Sequence, residues 1–600
     1  MSTDNCIRRK LMDHMDHNAL AKLLFPHIEK TPDDYEKIYP MRELPKGAKV
    51  TRLGPSPTGF IHLGNLYGAF VDERLAHQSD GVFYLRIEDT DDKRLVDGAV
   101  KTVTDSLRFF DIRFDEGAFQ DGDIGAYGDY TQSHRGAIYG CFAKKLVREG
   151  KAYPCFMTVD EINEIRQEQE REKLTPGIYG KYAKCRDWSL NEVKEALEEG
   201  RSYVIRLRSD GSSFDGTSCG SASGGENADS ASCECPRHDG ASAAAAENGS
   251  GRIEVEDAVR GTLNMPANFM DIVVLKATGI PTYHFAHVVD DHLMRTTHVV
   301  RGEEWLSSLP AHIELFEKLG WTAPVYCHTA QLMKLDESGN RRKLSKRKDP
   351  ELSLTYYRSM GYHPEAVREY LLTILNSDFE EWRGENPNSP LEDFQFSTDK
   401  MSGSGALFDL NKLNDISKDV LLRIPPEELY EFLESWSEEF APEFEDIFEN
   451  REYMVKILSL GRSGKKPRKD FVCGKQIAEF VSYFFKKHFK IEDELPAEVS
   501  EEDGKRILSE YMKTYNHSDD QSAWFDKIRE IAVSMGYAAK PKDYKKNPED
   551  YKGHVGHVST VIRIALTGRS QSPDIWEIQQ ILGEDEVRAR CLKARCVQGV

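Results

Sequence analysis

Residues 51–65 read TRLGPSPTGFIHLGN, and residues 84–91, in and after the next apolar run, read YLRIEDTD. Val50–Leu53 predicts a short strand, the prolines and glycines after it predict a turn, and residues 62–78 have the pattern of a helix. The run GVFYLRIED predicts a second strand that ends in carboxylates. A strand, a helix and a strand in this order form a βαβ unit, so we predict a parallel sheet covered by helices.

The length and composition indicate a large, globular, multidomain chain. Its 600 residues exceed what one hydrophobic core fills, so we expect about two to four domains. Hydrophobic residues make up 39% of the chain, and no run approaches the ~18 apolar residues of a membrane span. The N-terminal stretch lacks the apolar core of a signal peptide, and the 11 cysteines follow no regular framework. We therefore expect a cytoplasmic protein with reduced thiols and no membrane partner.

The net charge of −21 speaks only weakly against a nucleic-acid partner. Local basic patches, and not the total charge, attract a phosphate backbone. Such patches occur at residues 341–348, 461–469 and 540–546. Each of them could equally be a solvated lysine-rich face, so charge alone leaves a nucleic-acid partner open.

The amino-acid composition changes along the chain. Residues 1–48 predict a polar, partly helical extension. Asp210–Gly251 is so rich in Ser, Gly, Ala and Asp that it predicts a disordered insertion. This insertion contains the potential zinc ligands Cys219, Cys233, Cys235 and His238. Because the sequence around them offers no scaffold, we expect no zinc site there.

Beyond about residue 400 the sequence is rich in Leu and Glu and predicts helices. Ser572 and Pro573 are suited to the N-cap and first position of the last helix. Gly583 is placed to end that helix.

The turn after the first predicted strand has the features of a phosphate site. Gly59 and Gly64 allow close approach of the backbone, and a helix that starts near His62 exposes unpaired N–H groups. The tetrapeptide HVGH at 554–557 is similar in sequence to HLGN at 62–65, but no strand is predicted before it or after it. We therefore interpret residues 554–557 as structural.

A second basic signal lies in the loop DESGNRRKLSKRKDP, residues 336–350. Lys343 and Lys346, separated by a hydroxyl residue, could close over a polyphosphate, where mobile ammonium groups stabilise charge that grows in the transition state. A basic surface loop is the alternative. Because the sequence also contains the glycine turn near residue 64, we favour the interpretation of this loop as a phosphate site.

At this point the sequence resembles a known family. GPSPTGFIHLGN and KLSKR resemble the two signature motifs of class I aminoacyl-tRNA synthetases. RIEDTD, PTYHFAHVVDDHLMRTTHVVRGEEWL and ALTGRSQSPDIWEI resemble stretches of the bacterial glutamyl-tRNA synthetases. The resemblance covers about residues 50–208, 252–410 and, more faintly, the tail, with separate motifs in the family's order. A GxGxxG fingerprint and a P-loop are both absent from the sequence.

The resemblance implies an α/β fold, with a Rossmann-type parallel-sheet catalytic domain, an inserted acceptor-binding subdomain and a helical anticodon-binding region. The implied boundaries are 1–48 for the extension, 49–150 and 271–330 for the halves of the catalytic domain, 151–270 for the insertion, 331–400 for the KLSKR loop and stem-contact region, and 401–600 for the helical region. It also implies a reaction, in which glutamate and ATP form glutamyl-adenylate and the glutamyl group then passes to the 3′ end of tRNA(Glu). Mg²⁺ would accompany ATP, and we expect a monomer.

The resemblance assigns roles to individual residues. The implied ATP-binding residues are Pro55, His62, Gly64, Asn65, Trp305, Lys343, Ser345, Lys346 and Arg347. The implied glutamate-binding residues are Arg52, Ser56, Glu88, Tyr283, His287, Arg301 and Glu304. Of these, His62, Gly64, Lys343 and Lys346 are expected to contribute most to catalysis. Arginine suits the carboxylate of glutamate because two parallel N–H groups meet its two oxygens.

Several positions depart from the family's pattern. Asn65 replaces the last histidine of the first motif, Gly54 stands where alanine is frequent, and His287 resembles the glutaminyl branch. A glutaminyl-tRNA synthetase is therefore one alternative, tRNA(Gln) is a second possible substrate, and a synthetase-like protein that modifies or binds tRNA is another alternative.

Some members of the family carry zinc in the inserted subdomain. Here Cys155 and Cys185 are present, but Met157 and Asp187 occupy the neighbouring ligand positions. Two cysteines do not complete a tetrahedral site, so we predict no zinc.

Overall fold

The computed structural model describes residues 15–57, 61–90, 96, 98–213, 251–403, 405–462 and 466–597. They fall into two compact units, Met1–Leu354 with Leu371–Phe408 and Thr355–Tyr370 with Asp409–Val600. Of the insertion predicted over 210–251, a short 3-10 turn at Asp210–Ser213 and residue 251 are described. The prediction of disorder and the potential zinc ligands lie outside the described residues.

The first unit alternates strands and helices, as the sequence predicts for an α/β protein. Its strands are β1 (Val50–Leu53), β2 (Val82–Leu85), β3 (Glu116–Phe119), β4 (Gly122–Ile124), β5 (Ala152–Cys155), β6 (Val204–Leu207), β7 (Arg252–Asp257), β8 (Gly261–Pro266), β9 (Val273–Leu275), β10 (His298–Gly302), β11 (Val325–Thr329), β12 (Leu332–Leu335), β13 (Arg341–Lys343) and β14 (Ala406–Leu407). Its helices are α1 (His17–Leu24), α2 (Pro32–Ile38), α3 (Leu63–His77), α4 (Ala99–Phe109), α5 (Gly136–Arg148), α6 (Val159–Arg171), α7 (Leu190–Glu198), α8 (Tyr283–Leu293) and α9 (Leu309–Leu319). Helices α10 (Leu354–Met360) and α11 (Pro364–Leu375) contain residues of both units, and α12 (Phe379–Glu385) belongs to the first.

The βαβ unit predicted at the start of the first unit is confirmed. β1 and β2 run parallel, with Val50 beside Val82 and Leu53 beside Leu85, and α3 connects them. β2 pairs in parallel with β3, and β4 adds an antiparallel strand at the edge. The strands β1 and β2 are almost wholly buried, which is typical of a parallel sheet with both faces covered.

The second half of the sheet lies against the first along β1. β10 pairs in parallel with β11. Just before β10, the Thr297 amide donates to the Val50 carbonyl at 2.9 Å, and the Arg52 side chain reaches the Val300 carbonyl at 3.5 Å. β10 therefore lies beside β1, although the two belong to separate four-stranded sheets, and the order of neighbouring strands, β3-β2-β1-β10-β11, reverses between β1 and β10. In such sheets, ligands bind beyond the carboxyl ends of the strands at this reversal.

The remaining strands form smaller sheets. β5 and β6 of the insertion form an antiparallel sheet with β9, which follows the implied end of the insertion at residue 270. β7 and β8 form an antiparallel hairpin, and Asp257 at the end of β7 lies beside Tyr326 of β11. β12 lies between β13 and β14, and this sheet carries the start of the KLSKR loop.

A buried carboxylate fixes α8 against the body of the unit. Asp290 accepts hydrogen bonds from Arg135 Nε at 2.8 Å, Gln132 Nε2 at 2.9 Å and the Tyr139 hydroxyl at 2.7 Å. A buried charge is stable when it is paired and hydrogen-bonded in this way. Successive helix residues point roughly 100° apart, so this anchor sets the direction of the neighbouring residue, Asp291.

The described part of the extension is folded onto the first unit. Leu20 and Leu24 of α1 are buried, and Lys144 on α5 donates to the Ile28 carbonyl at 2.6 Å. Glu36 on α2 forms an ion pair with Arg295 at 2.7 Å. Residues 15–48 are thus part of the packed unit, and residues 1–14 lie outside the described residues.

The second unit is helical, as predicted. Its helices are α13 (Leu410–Arg423), α14 (Pro426–Phe440), α15 (Arg451–Ser459), α16 (Gly474–Val481), α17 (Glu501–Thr514), α18 (Gln521–Ser534), α19 (Pro541–Lys546), α20 (Val555–Thr567), α21 (Ile575–Leu582) and α22 (Glu584–Val597). They share one apolar core that includes Leu433, Ile477, Ile528, Val558 and Ile562. The core arises because each helix places its apolar residues on one face.

The prediction for the start of the last helix is wrong in two respects. Asp574, and not Ser572, caps α21, because its carboxylate accepts the amides of Trp576 and Glu577. Gly583 does end α21, but α22 follows it directly. The Ser572 hydroxyl instead accepts a hydrogen bond from Arg563 at 2.7 Å.

Within the described residues, we find no helix whose length and apolarity would let it cross a bilayer.

Gly568 is expected to be required for the stability of the second unit. It ends α20 with φ of +77°, and a Cβ at this position would overlap the Lys490 carbonyl oxygen. Gly568→Ala should therefore lower the free energy of unfolding by more than the about 1 kcal/mol that a left-handed conformation alone costs. Denaturant unfolding of the purified chain measures this loss.

Gly536→Ala is the matched control. Gly536 has φ of +86° in the same unit, but the nearest heavy atom to its Cβ would be Lys552 Cγ at 4.0 Å. Equal losses in the two variants would contradict the proposed overlap at Gly568.

Candidate active site

A cavity of about 680 Å³ opens at the carboxyl ends of the central strands of the first unit. Twelve of the predicted site residues line it: Arg52, Ser56, His62, Gly64, Asn65, Glu88, Tyr283, Arg301, Glu304, Trp305, Lys343 and Lys346. Pro55, His287, Ser345 and Arg347 do not line it. The glycine turn and the KLSKR loop, almost 280 residues apart in sequence, therefore share one cleft.

One wall of the cavity is the start of α3, where His62 is the N-cap. Its Nδ1 accepts the Asn65 amide at 3.2 Å, and the Asn65 side-chain oxygen accepts the His62 amide at 3.0 Å. Burial lowers the pKa of His62, and the nearby Lys346 and Lys343 lower it further. The ring is therefore neutral at pH 7, and since Nδ1 is an acceptor, its proton is on Nε2.

Gly64 lies directly beside this ring. A Cβ on Gly64 would lie 3.0 Å from His62 Nδ1, which is tighter than an ordinary contact. A Cβ there would require the imidazole to shift by a few tenths of an ångström, so the glycine lets the ring keep its capping position.

The opposite wall carries the KLSKR loop, which Asp349 organises. Arg342 Nη1 and Nη2 donate to its two oxygens at 2.6 and 2.7 Å, and the Ser345 amide donates at 2.8 Å. These bonds, led by those from Arg342, hold the pKa of Asp349 well below its usual value. Leu344 is buried beneath the loop, while Lys343 and Lys346 are exposed at the cavity. The loop is thus fixed at its base, with its two cations at the surface of the cleft.

The inner end of the cavity contains a buried network of charges. Asp291 Oδ1 lies 2.6 Å from Arg86 Nη1 and 3.3 Å from Arg52 Nε, and Arg86 Nη2 donates to Glu88 at 2.9 Å. Burial opposes the charge of Asp291, but Arg86 and Arg52 outweigh it and hold its pKa well below the usual value. Burial raises the pKa of Glu88, against the attraction of the same two arginines.

Arg301 completes the inner end and is bonded differently. Its Nε donates to His328 Nε2 at 2.9 Å and its Nη1 to His312 Nδ1 at 2.9 Å. Among the described residues, the buried Nη2 has no hydrogen-bond partner. Three guanidinium groups, those of Arg52, Arg86 and Arg301, thus meet the carboxylates of Asp291 and Glu88. Asp72 also lines the cavity, but burial raises its pKa well above the usual value, so it is counted as neutral. Three guanidinium groups against two carboxylates leave an excess of about one positive charge, so the inner end can accept an anion.

Two aromatic rings form the side of the cavity. Tyr283 and Trp305 lie with their ring centroids 4.3 Å apart. His287 is stacked behind Tyr283, with its centroid at 5.7 Å, and is fully buried. It lies 2.7 Å from Asp291 and bonds the Tyr326 hydroxyl at 3.1 Å. His287 therefore supports the wall and the ion pair from behind.

The sequence reasoning missed several residues that build the site. They are Asp72, which is buried and lines the cavity, together with Arg86, Asp291, His312 and His328. Two of them had a readable signal: Arg86 and Glu88 lie two apart near a strand end, so they share a face, and Asp291 is charged within an apolar helix. The histidines have no such signal, because β11 and α9 bring them to Arg301.

The HVGH tetrapeptide has a structural role. His554 is the N-cap of α20, where its Nδ1 accepts the Gly556 amide at 3.0 Å. In the insertion, a hydrogen bond with Cys185 lowers the pKa of Cys155. Asp187 forms an ion pair with Arg208 at 2.8 Å. Within the described ranges, no three His, Cys, Asp or Glu side chains are grouped to hold a metal ion.

The buried state of His287 predicts a pH dependence of stability. Burial lowers its pKa to about 4, from about 6.5 in an unfolded chain, so the folded state binds fewer protons. The stability that neutral, buried His287 contributes to the folded state is complete above pH 6.5 and is lost as the pH falls towards 4. Between pH 7 and 5, wild type should lose about 2 kcal/mol more stability than His287→Gln. Denaturant unfolding at both pH values checks this, with the exposed His27→Gln as control; equal losses in all three proteins would contradict it.

Comparisons with known proteins show the family of the chain. The family model "tRNA synthetases class I (E and Q), catalytic domain" matches residues 49–217 and 243–413, and "Anticodon binding domain" matches residues 438–595. The chain is 58% identical over 578 residues to a glutamate–tRNA ligase of Acetivibrio thermocellus, covering 96% of this chain and 99% of that protein. It is 47% identical over 582 residues to that of Clostridium perfringens strain 13, covering 96% and 100%.

A solved structure is similar as well. The crystal structure of a glutamate tRNA ligase from Elizabethkingia meningosepticum in complex with its amino acid has a TM-score of 0.67 and 25% identity, covering 92% of this chain and 99% of that one. The family model, the relatives and the fold thus agree along nearly the whole chain. The chain therefore belongs to the class I tRNA synthetases for glutamate and glutamine, and within them to the aminoacyl-tRNA ligases of the glutamate–tRNA ligase family.

Proposed function

We propose that the cavity binds ATP and L-glutamate side by side, forms glutamyl-adenylate and transfers the glutamyl group to the 3′ end of tRNA(Glu). One observation carries the proposal: the inner end of the cleft holds buried guanidinium groups with an excess of positive charge. An anionic amino-acid side chain supplies the charge that this end lacks. The same cleft contains the glycine turn and two lysines suited to a polyphosphate.

Glutamate is expected to bind with its side-chain carboxylate between Arg52 and Arg301. The Nη2 group of Arg301, which lacks a protein partner among the described residues, would donate to one carboxylate oxygen. Glu88 would receive the substrate ammonium, which would favour the ionised form of this buried carboxyl group. Tyr283 and Ser56 also line the cavity and would bond the rest of the amino acid.

ATP is expected to occupy the outer part of the cleft. The Nε2–H of His62 and the start of α3 would face the phosphates, and Trp305 would pack against the adenosine. Mg²⁺ bound to the phosphates would neutralise part of their charge. The α-carboxylate of glutamate attacks the α-phosphorus, the bond to the β-phosphate breaks, and diphosphate leaves. Lys343 and Lys346 stabilise the charge that grows on the departing oxygens.

The second step needs no protein nucleophile. A hydroxyl at the tRNA terminus attacks the carbonyl carbon of the adenylate and an ester forms. AMP leaves as the bond to phosphate breaks, and its phosphate takes the hydroxyl proton. The protein's contribution to both steps is to hold the reacting groups in line and to stabilise charge. The helical second unit, much of which matches the anticodon-binding domain, is the proposed site of tRNA recognition.

Charging assays test this function directly. Purified chain is incubated with ATP, Mg²⁺ and either glutamate or glutamine, with tRNA(Glu), with tRNA(Gln) or without tRNA. We expect exchange of pyrophosphate into ATP with glutamate only when tRNA is present, and stable charging of tRNA(Glu). Activation of glutamine in place of glutamate would establish a glutaminyl enzyme, and no activation of either amino acid would refute the proposal.

Lys346→Ala should separate catalysis from tRNA binding. Loss of one cation that acts on the transition state should lower the adenylation rate on the order of a hundredfold, while the Kd for tRNA changes little. The matched control is Lys348→Ala, which removes an exposed lysine from the same loop outside the cavity lining. Equal rates for the two variants in pyrophosphate exchange would remove Lys346 from the proposed mechanism.

A further inference from the structure

The partners of Arg301 differ in charge from those of the other arginines at the inner end. Arg52 and Arg86 both face the carboxylate of Asp291. Arg301 instead lies between the imidazoles of His312 and His328, each 2.9 Å from one of its nitrogens. Both histidines are fully buried, and Arg301 is 7% exposed. These two hydrogen bonds thus hold the guanidinium on two sides, and the acceptor in each of them is an imidazole and not a carboxylate.

The hydrogen bonds define the tautomer of each ring. Arginine only donates, so His328 Nε2 and His312 Nδ1 must both be acceptors. The proton of His328 is then on Nδ1, which faces Asp257 Oδ2 at 2.6 Å. The proton of His312 is on Nε2, which faces His284 Nδ1 at 2.8 Å. Each ring is therefore oriented by a second partner and is neutral while it accepts from Arg301.

A neutral acceptor has a different consequence from a carboxylate at the same place. A carboxylate beside Arg301 would also fix the guanidinium, but it would cancel its charge and repel an incoming anion. A neutral imidazole fixes the orientation and leaves the charge available. The remaining nitrogen, Nη2, is buried without a partner among the described residues, as expected if its partner is a ligand.

We propose that His312 and His328 are positioning residues that orient Arg301 while leaving its charge unneutralised, and that they thereby set the preference for an acidic over an amide amino-acid side chain. This inference rests on the proposed function of the cavity. It adds a reason for the type of residue at both positions: the acceptor in direct contact with Arg301 must be uncharged. At position 328 the imidazole ring also separates the guanidinium from the carboxylate of Asp257 behind it.

A matched pair of substitutions tests the proposal. An asparagine or aspartate oxygen can reach the place of a histidine Nδ1, so His312→Asn keeps a neutral acceptor and His312→Asp puts a charged one there. The two variants differ in charge but hardly in shape. His312→Asp should raise the KM for glutamate on the order of tenfold to a hundredfold, with the KM for ATP nearly unchanged. The ratio of kcat/KM for glutamate over glutamine should fall by a similar factor.

His312→Asn should stay within a few fold of wild type in both the KM for glutamate and the selectivity. A structural role alone would predict similar effects from both substitutions, together with parallel losses of stability. The measurements are tRNA-dependent pyrophosphate exchange with each amino acid and thermal unfolding of each variant. A wild-type KM for glutamate in His312→Asp, or equal defects in the two variants, would overturn the proposal.

A failure of this proposal can be told apart from a failure of the proposed function. The proposed function fails only if the wild-type protein does not activate glutamate. If His312→Asp does not fold, His312→Leu is compared with His312→Asn instead. Leucine removes the acceptor, so it should raise the KM for glutamate more than asparagine does. A leucine variant with the KM and selectivity of wild type would refute the role of His312.

Discussion

The buried carboxylate of Asp291 holds the inner end of the active-site cavity together. It pairs with Arg86 at 2.6 Å and Arg52 at 3.3 Å, and its other oxygen lies 2.7 Å from His287. Without this carboxylate, two guanidinium groups would lie close together in a site with little water, where like charges repel strongly. The positions of β1, β2 and α8 around the cavity therefore depend on one side chain that the adjacent residue, Asp290, helps to orient.

Local charge, and not total charge, explains how an acidic chain can bind acidic substrates. The chain as a whole carries −21, yet the inner end of the cleft holds an excess of positive charge, and its mouth carries Lys343 and Lys346. Burial makes this local excess effective, because interactions between charges are screened less away from water. The bracketing of Arg301 by neutral histidines serves the same end, since it orients a cation without neutralising it.

The two similar tetrapeptides show why context decides function. His62 and His554 each cap a helix, and each accepts a backbone amide of the first turn through Nδ1. The local chemistry is nearly the same. Only the first lies where a parallel sheet reverses its strand order, with a lysine-bearing loop across the cleft. The second, at 554–557, caps a helix of the helical unit.

Much of the architecture was predictable from local pattern. The βαβ unit and the helical C-terminal region follow from apolar periodicity and turn residues, which act over a few residues. The two signature motifs were identified by their resemblance to a known family. Asp574 in place of Ser572 as a helix cap shows the limit, since neighbouring cap residues compete for the same amides. The pairing of Asp291 with Arg86, and of Arg301 with His312 and His328, joins distant segments. Only the packing of strands and helices decides which buried charges meet, which tautomer the buried histidines adopt and what net charge faces the substrate.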